Sequence, residues 1–376
     1  MSRQFEKFSI QGVTPGTYIN DRTSKAHLHV RRQSRTIDLR RARGKGAITL
    51  SLFMLSVCCV LPSAHAAWTR QRISSMAPLH SVFFLDASRG WVVGGRGTVL
   101  STDDGGAHWR ALPRPTEDNI RDIHFFDPQQ GIIICERNIY ELKSNDEPRT
   151  YLMKTSDGGD HWQRSSLRGA NADALIVKAL FNNSGHGWAF GEAGTIYVTS
   201  DAGNNWLKLQ APTRSLLLGG AFVDDNNAWL VGAGSTILQT ADGGESWQRA
   251  RLPFGEFRFN GASFIEKRLG WVVGNSGAIL RTINGGRSWQ AQNSSVASDL
   301  FDVKFLNAAE GWAVGAGGVV LQTSDGGIHW TQERAVTDHS LERIFFSDKT
   351  HGWAVGFGGT IIAFSPSANY APQLKH

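Results

Sequence analysis

Six acidic or amide side chains recur at one place in a repeated phrase and are the first candidates for chemistry. The phrase is Thr-x-Asp-Gly-Gly-x-x-Trp, and its third residue is in turn Asp104, Asp157, Asp201, Asp242, Asn284 and Asp325. A ring of carboxylates suggests catalysis, but one acid in every repeat is what a folding requirement produces. The Gly pair permits positive φ and the Asp can accept bonds from turn amides. We therefore assign these residues a structural role, and Asn284 agrees because it keeps the bond without the charge.

The histidines and cysteines do not form a metal-binding or nucleophilic pattern. Three histidines each precede the Trp of a separate copy of the phrase: His108, His161 and His329. His124 is expected to be the one histidine on an inner strand, with no second ligand at metal spacing. Cys135 stands alone after the N-terminal segment. The sequence therefore predicts no metal site, no cofactor and no catalytic residue.

Arginines near the junctions between repeats are the candidates for binding. They are Arg114, Arg121, Arg168, Arg214, Arg258 and Arg343. One repeat is also longer, since 23 residues separate Ile132 from Thr155 where the intact repeats have 11, and the insertion brings Tyr140 and Tyr151 to the same face. Arg and Tyr commonly anchor protein interfaces. We predict that this face binds acidic or carboxyl-terminal groups of a protein client; the alternative is a tolerated insertion beside solubilising charges.

A period of about 41 residues positions these side chains. A second phrase, Gly-Trp followed by a short apolar run, is centred on residues 91, 132, 188, 229, 271, 312 and 353, with Ile132 replacing Trp in the second copy. A Phe stands seven residues before every centre and predicts an inner strand in each repeat. Repeats of this length with four short apolar segments are typical of propeller blades. The predicted fold is an all-β, seven-bladed β-propeller of four-stranded antiparallel blades.

The ends of the chain are expected to close this ring. Trp68 precedes Trp91 by 23 residues, which is also the distance from Trp109 to Ile132. The last repeat ends without a Thr-x-Asp-Gly-Gly-x-x-Trp phrase. The segment around Trp68 should therefore supply the outermost strand of the seventh blade, which removes free sheet edges.

The N-terminal segment resembles an export signal. Residues 1–45 carry eleven basic and three acidic residues, and residues 46–66 are uncharged and end in Ala64-His65-Ala66. We expect 1–45 to be a disordered leader or a mis-set start, 46–66 a signal segment cleaved after Ala66, 67–366 the propeller and 367–376 a tail. An uncleaved anchor and a lipid on Cys58 are the alternatives.

The charge of the propeller itself argues against a nucleic-acid partner. Beyond residue 66 the chain holds 28 basic and 30 acidic residues, so the net charge of +6 comes from the leader. A strongly basic surface, the usual mark of a nucleic-acid-binding protein, is therefore absent from this part of the sequence. We expect the protein to be a monomer that contacts a membrane only through its client or through an uncleaved leader.

The two phrases together resemble the photosystem II stability and assembly factor family of Asp-box propellers. The combined unit is Gly-Trp-Ala-Val-Gly…Gly-x-Ile-Leu-x-Thr-x-Asp-Gly-Gly-x-x-Trp, and the resemblance covers residues 68 to about 365. It implies an exported, periplasmic or lumenal scaffold that binds a membrane-associated protein client and has no catalytic activity. The longer second repeat departs from the pattern and is where specificity could reside.

A glycan-active or glycan-binding propeller is the alternative function, because sialidases also carry Asp boxes. A sialidase needs three convergent Arg, a Tyr–Glu pair and an acidic Asp. Tyr197 is expected in the third strand of a blade, away from the channel, and Arg251-Leu252-Pro253 occurs late in the chain. A carboxylate pair beside an Arg triad at the channel mouth would favour this alternative.

Overall fold

The computed structural model describes residues 67–365 except 139, 141–147, 166–173, 183, 253–254 and 335. Within these ranges 28 strands form seven four-stranded antiparallel sheets, which confirms the predicted all-β, seven-bladed propeller. The predicted leader, signal segment and C-terminal tail lie outside the described residues. No helix in the described ranges has the length and apolar character needed to cross a bilayer.

Each blade follows the chain outward from the central channel. Blade 1 contains β2 (Leu79–Phe84), β3 (Gly90–Gly94), β4 (Val99–Thr102) and β5 (Arg110–Ala111). Blade 2 contains β6 (Asn119–Phe125), β7 (Gly131–Glu136), β8 (Thr150–Thr155) and β9 (Gln163–Ser165). Blade 3 contains β10 (Ile176–Phe181), β11 (Gly187–Gly191), β12 (Ile196–Thr199) and β13 (Leu207–Leu209).

The remaining blades repeat this order. Blade 4 contains β14 (Leu217–Phe222), β15 (Ala228–Gly232), β16 (Thr236–Thr240) and β17 (Gln248–Arg249). Blade 5 contains β18 (Phe259–Phe264), β19 (Gly270–Gly274), β20 (Ile279–Thr282) and β21 (Gln290–Gln292). Blade 6 contains β22 (Leu300–Phe305), β23 (Gly311–Gly315), β24 (Val320–Thr323) and β25 (Thr331–Gln332). Short 3-10 turns join the second and third strands of four blades: Glu192–Gly194, Asn275–Gly277, Ala316–Gly318 and Phe357–Gly359.

Blade 7 joins the two ends of the described chain. It contains β26 (Leu341–Phe346), β27 (Gly352–Gly356), β28 (Thr360–Ser365) and β1 (Ala67–Arg70), in that order from the channel outward. Strand β1 pairs antiparallel with β28 from Ala67 opposite Ser365 to Arg70 opposite Ile362. The predicted closure through the Trp68 segment is therefore confirmed.

The recurring Phe, Gly and Trp residues pack one blade onto the next. The Phe305 ring at the end of β22 stacks on Trp271 of the preceding blade, with centroids 3.4 Å apart. A Cβ on Gly311, beside that ring, would lie 2.6 Å from Phe305 atoms. In blade 4, Ala228 replaces this glycine, and Phe222 is tilted by 41° from Trp188 with centroids 5.5 Å apart. Where a glycine precedes the Trp, as at Gly311, it leaves room for the Phe ring at the blade junction.

The same tryptophans also donate a hydrogen bond to the repeated turn of the next blade. Five indole Nε1 atoms bond to glycine carbonyls: Trp91 to Gly158, Trp188 to Gly243, Trp229 to Gly285, Trp271 to Gly326 and Trp353 to Gly105. Trp312 adjoins blade 7, whose last strand comes from the N-terminal end and brings no such turn, and its buried Nε1 has no partner in the described chain. The junction between blades 6 and 7 therefore lacks one inter-blade bond.

Candidate binding site at the channel mouth

The two faces of the propeller are distinguished by their loops. The Asp-Gly-Gly turns share one face with the hairpins that join first to second strands, as the bond from Gly105 N to Ser88 O (2.8 Å) shows. The other face contains the loops between blades and the hairpins between second and third strands, and there Gly97 N donates to Asp118 O at 2.7 Å. We call this second face the linker face.

A cavity of about 330 Å³ opens at the channel mouth on the linker face. Three of the arginines singled out in the sequence, Arg121, Arg258 and Arg343, line it and come from blades 2, 5 and 7. His80, Asn260 and Glu342 are its other polar side chains, and its apolar part consists of Val177, Leu216, Leu218, Phe301 and Phe357. The ring closure thus brings cations far apart in the chain to one recess with an apolar wall.

Each inner strand places the residue four before its final Phe toward this mouth because the strand carries a bulge. In six blades the pairing between first and second strands slips by one residue between the first and third positions of the inner strand, and in β6, which begins one residue earlier, it slips between the second and fourth. A bulge bends a strand and re-aims a side chain. Consequently the residues that precede the slip, such as Leu79 and Ile120, remain in the core, whereas the next ones include Arg121, Asn260 and Glu342 at the mouth.

Two of the three arginines are partly compensated by carboxylates. Arg121 Nε lies 3.2 Å from Glu136 Oε2, with both side chains less than one third exposed. Arg258 pairs with Asp299 at 3.3 Å in a more exposed pair. Each contact joins one nitrogen to one oxygen, whereas a guanidinium has five donors. Both arginines therefore keep donors for an incoming carboxylate.

Of the three arginines, Arg343 has the positive charge that neighbouring carboxylates balance least. It lies where the mouth meets the channel below it, since it lines the cavities of both. Its Nε is buried and has no hydrogen-bond partner among the described residues. The neighbouring Glu342 accepts instead from the His80 ring, with Nδ1 and Oε2 2.8 Å apart. A buried donor without an acceptor is energetically costly, and Arg343 Nε is such a donor among the arginines of the mouth.

The other candidates from the sequence lie elsewhere. Arg114 is an exposed loop residue, and Arg214 lines a separate groove at the edge of blade 3 with Glu192 and Lys208. Arg168 falls outside the described residues. The structure thus brings together three of the six arginines.

The two candidate tyrosines differ in exposure. Tyr140 is 89% exposed. Tyr151 is buried, and its hydroxyl donates to Asp118 Oδ2 at 2.6 Å while Arg164 lies over its ring at 3.9 Å. Burial and the bond to Asp118 raise its pKa. Because Tyr151 is used inside its own blade, only Tyr140 stays available to a partner.

The expectation that His124 is the one inner-strand histidine is wrong, because His80 lies on β2 as well. His124 is packed among Phe83, Phe126 and Phe181, at centroid distances of 4.6–5.0 Å, and burial lowers its pKa to about 3. His80 stands four residues before Phe84, the same offset that separates Arg121 from Phe125 and Glu342 from Phe346. Counting back from these phenylalanines would have found His80 and Glu342, which sequence reasoning missed.

The repeated carboxylates form their bonds within their own turns. Asp104 Oδ1 accepts from His108 N and Thr102 Oγ1 at 2.8 Å, and His108 Nδ1 lies 2.7 Å from Oδ2. Asp157 and Asp325 have the same partners in their turns. Asn284 keeps the amide bond through Oδ1, which accepts from Ser288 N at 3.0 Å. These contacts account for the local role assigned from the sequence.

These turns predict an acid-sensitive stability. Bonds from the His329 amide and ring lower the pKa of Asp325 from 3.8 to about 2, and the same pattern lowers those of Asp104 and Asp157 to about 2. A carboxyl group with a depressed folded-state pKa stabilises the fold fully above pH 3.8 and loses that contribution as the pH falls to about 2. Asp325→Asn, which copies Asn284, should flatten this dependence. Thermal midpoints measured across that range test this; an unchanged slope would contradict it.

The described residues give no sign of a metal centre. No group of three or more His, Cys, Asp or Glu side chains in these ranges could hold an ion. Cys135 is buried and far from any ligand set, and burial raises the pKa of its thiol to about 12. A buried thiol of this kind is inert.

The architecture and the repeated turns define an Asp-box propeller, closed by its N-terminal strand and with a cationic recess at the linker face. The chain belongs to the family described as "Photosynthesis system II assembly factor YCF48", which matches residues 107–214, 204–296 and 289–362. The resemblance inferred from the repeated phrases is thereby confirmed.

Three relatives illustrate the similarity. The Photosystem II assembly lipoprotein Ycf48 of Synechococcus sp. (strain CC9902) is 31% identical over 151 residues, which cover 39% of this chain and 41% of the relative. The structure of YCF48 from Cyanidioschyzon merolae is 21% identical, with a TM-score of 0.66 over 80% of this chain and 99% of that one. A structure of YCF48 bound to D1 peptide is also 21% identical, with a TM-score of 0.65 over 79% and 96%. The chain thus spans less than half of the curated relative, and the structural matches show the shared fold.

Proposed function

We propose that this chain is an exported, non-catalytic propeller that binds a segment of a membrane-associated protein client and assists its assembly or stability. The observation that carries the proposal is the meeting of Arg121, Arg258 and Arg343 in one recess beside apolar side chains. Family membership supports it, and a relative of the same fold binds a peptide, named D1. Relatives named as lipoproteins agree with action outside the cytoplasm.

The mouth suits a peptide end that carries a carboxylate and an apolar side chain. Arg258 and Arg121 provide the outer donors, and Arg343 provides the inner one. Guanidinium forks bind carboxylates through paired charge-assisted bonds. Phe357 is 50% exposed and Phe301 lies on the same wall, so an apolar side chain of the client would bury surface against them. Exposed Tyr140 on the inserted hairpin adds a contact at the rim.

The non-catalytic part of the proposal depends on the carboxylates of the recess. A sialidase needs a Tyr–Glu pair and an acidic Asp beside its three Arg. The described residues that line the mouth include no Tyr and no Asp, and their one carboxylate, Glu342, bonds to His80. Glu136 and Asp299, beside the mouth, are paired with Arg121 and Arg258. The arrangement therefore favours binding over the sialidase-like alternative.

The recess predicts a preference for free carboxyl termini. From a library of peptides with free termini, the best binder should lose about 10- to 100-fold in affinity when Arg258→Gln or Arg343→Gln is introduced, since each removes charge-assisted bonds. Amidation of that peptide should have a similar effect. Fluorescence anisotropy of labelled peptides measures both.

A matched variant distinguishes this site from general charge effects. Arg89→Gln removes an arginine that pairs with Asp86 on the opposite face, and it should leave the affinity unchanged. Equal binding of free and amidated peptides, or equal losses in all three variants, would contradict the proposal. Thermal melts of each variant establish that the fold is retained.

A further inference from the structure

A second cavity, of about 270 Å³, lies in the channel below the mouth. Its wall includes residues that stand three positions or one position before the final Phe of the inner strands. The charged side chains among them are Asp122, Lys178, Asp302, Lys304 and Arg343. The volume is below the usual range for drug-sized ligands, about 300–1,000 Å³, so only a small ligand would fit.

The two carboxylates of this cavity are already bonded to neighbouring inner strands. Asp122 accepts from Ser81 Oγ at 2.6 Å and from Ala179 N at 2.9 Å. Asp302 accepts from Ile344 N at 3.2 Å. Both are buried, with exposures of 6% and 5%. They tie adjacent blades together at the channel wall.

The cations of the cavity are not bonded in this way. Among the residues that the structure describes, no carboxylate forms an ion pair within 4.0 Å of Lys178 or Lys304. Arg343 Nε also lacks an acceptor. Three cations face two carboxylates, so the cluster carries 3 − 2 = +1, and His124 adds no charge because its pKa is about 3. Desolvation in the channel lowers the pKa of both lysines, and the attraction of Asp302 offsets only part of this effect.

We propose that the channel binds one small oxyanion, such as inorganic phosphate or sulfate, between Lys178, Lys304 and Arg343. A single anion neutralises the excess positive charge and gives the unpaired donors their acceptors. Charge-assisted bonds of ammonium and guanidinium groups to such oxygens are among the stronger ones in proteins. The site shares Arg343 with the proposed client site, but Lys178 and Lys304 do not line the mouth cavity, so variants of Lys304 test the oxyanion site independently.

Calorimetric titration of the full chain with inorganic phosphate, at an ionic strength held constant with chloride, tests the site. We expect saturable binding of one phosphate per chain and competition by sulfate. Lys304→Met should weaken phosphate binding about tenfold or more. Lys349→Met removes the same charge from an exposed loop of blade 7 and should change the affinity less than about twofold.

Two further measurements keep the test decisive if Lys304→Met folds poorly. Lys304→Gln retains a polar side chain and should show a similar loss of affinity. Phosphate should also raise the thermal midpoint of the unaltered chain above that in chloride, because a ligand that binds the folded state stabilises it. Absence of saturable binding, or affinity retained in both Lys304 variants, would overturn the proposal.

Discussion

Replacing Trp68 with alanine will lower the free energy of unfolding by about 3–5 kcal/mol, the range for removing a buried aromatic side chain. Trp68 is 5% exposed and belongs to the strand that closes the ring. Its ring meets Phe346 edge-on at 6.0 Å and Phe364 at 5.4 Å. The substitution therefore removes packing from the strand pairing that joins the two ends of the propeller.

Trp68→Phe is the matched control for this prediction. The indole Nε1 of Trp68 has no hydrogen-bond partner among the described residues. The Trp68→Phe substitution therefore breaks no hydrogen bond and removes only part of the buried ring volume. Its cost should be well below that of alanine. Urea denaturation followed by tryptophan fluorescence measures both losses. A cost below about 1 kcal/mol for Trp68→Ala would mean that the closing strand adds little to stability.

Replacing Trp271 or Trp312 with phenylalanine will lower the free energy of unfolding by unequal amounts, although the two tryptophans occupy equivalent positions in their blades. Trp271 donates from Nε1 to Gly326 O at 2.9 Å, whereas the Nε1 of Trp312 has no partner in the described chain. Trp271→Phe leaves a buried carbonyl without its donor, which costs about 1–3 kcal/mol beyond the lost volume. Trp312→Phe loses volume alone. We expect Trp271→Phe to be the more destabilising by that difference.

Denaturant midpoints of the two phenylalanine variants provide the comparison. Both tryptophans are nearly inaccessible, with exposures of 0% and 3%, so burial does not separate them. Equal losses would show that the bond from Trp271 to Gly326 contributes nothing, and would remove the physical basis for the repeated tryptophan–turn contact. The unfolding slopes should match, since neither change alters the surface exposed on unfolding.

The fold could be predicted from the sequence because each repeat contains the residues that mark its own strands. The Phe seven residues before each centre marks the end of an inner strand, and the offset of Trp68 from Trp91 predicts the closing strand. Local signals of this kind repeat seven times and so reinforce one another. The packing of Phe, Gly and Trp was not predicted because it joins residues of adjacent blades. The sequence of a single repeat does not show which aromatic ring lies beside its glycine.

The candidate site was only partly predictable for a related reason. The choice of Arg121, Arg258 and Arg343 over Arg114 and Arg214 depends on which side chains point into the channel mouth. The inner-strand bulges set that direction for Arg121 and Arg343, whereas Arg258 lies just before β18. The arginines of the mouth also come from blades 2, 5 and 7, so sequence spacing could not show that the Arg343 Nε lacks a hydrogen-bond partner. The binding roles remain predictions for the experiments above.

The pairing of β1 with β28 has a consequence for how the molecule forms. The bond from Thr69 Oγ1 to Ala363 O joins residues 294 positions apart, a very long-range contact. Contacts of high sequence separation are slow to form because the loop between them must first be closed. Blades 1 to 6 are each built from consecutive residues, whereas blade 7 needs both β1 and β28. The ring therefore closes only when segments from both ends of the described chain have come together.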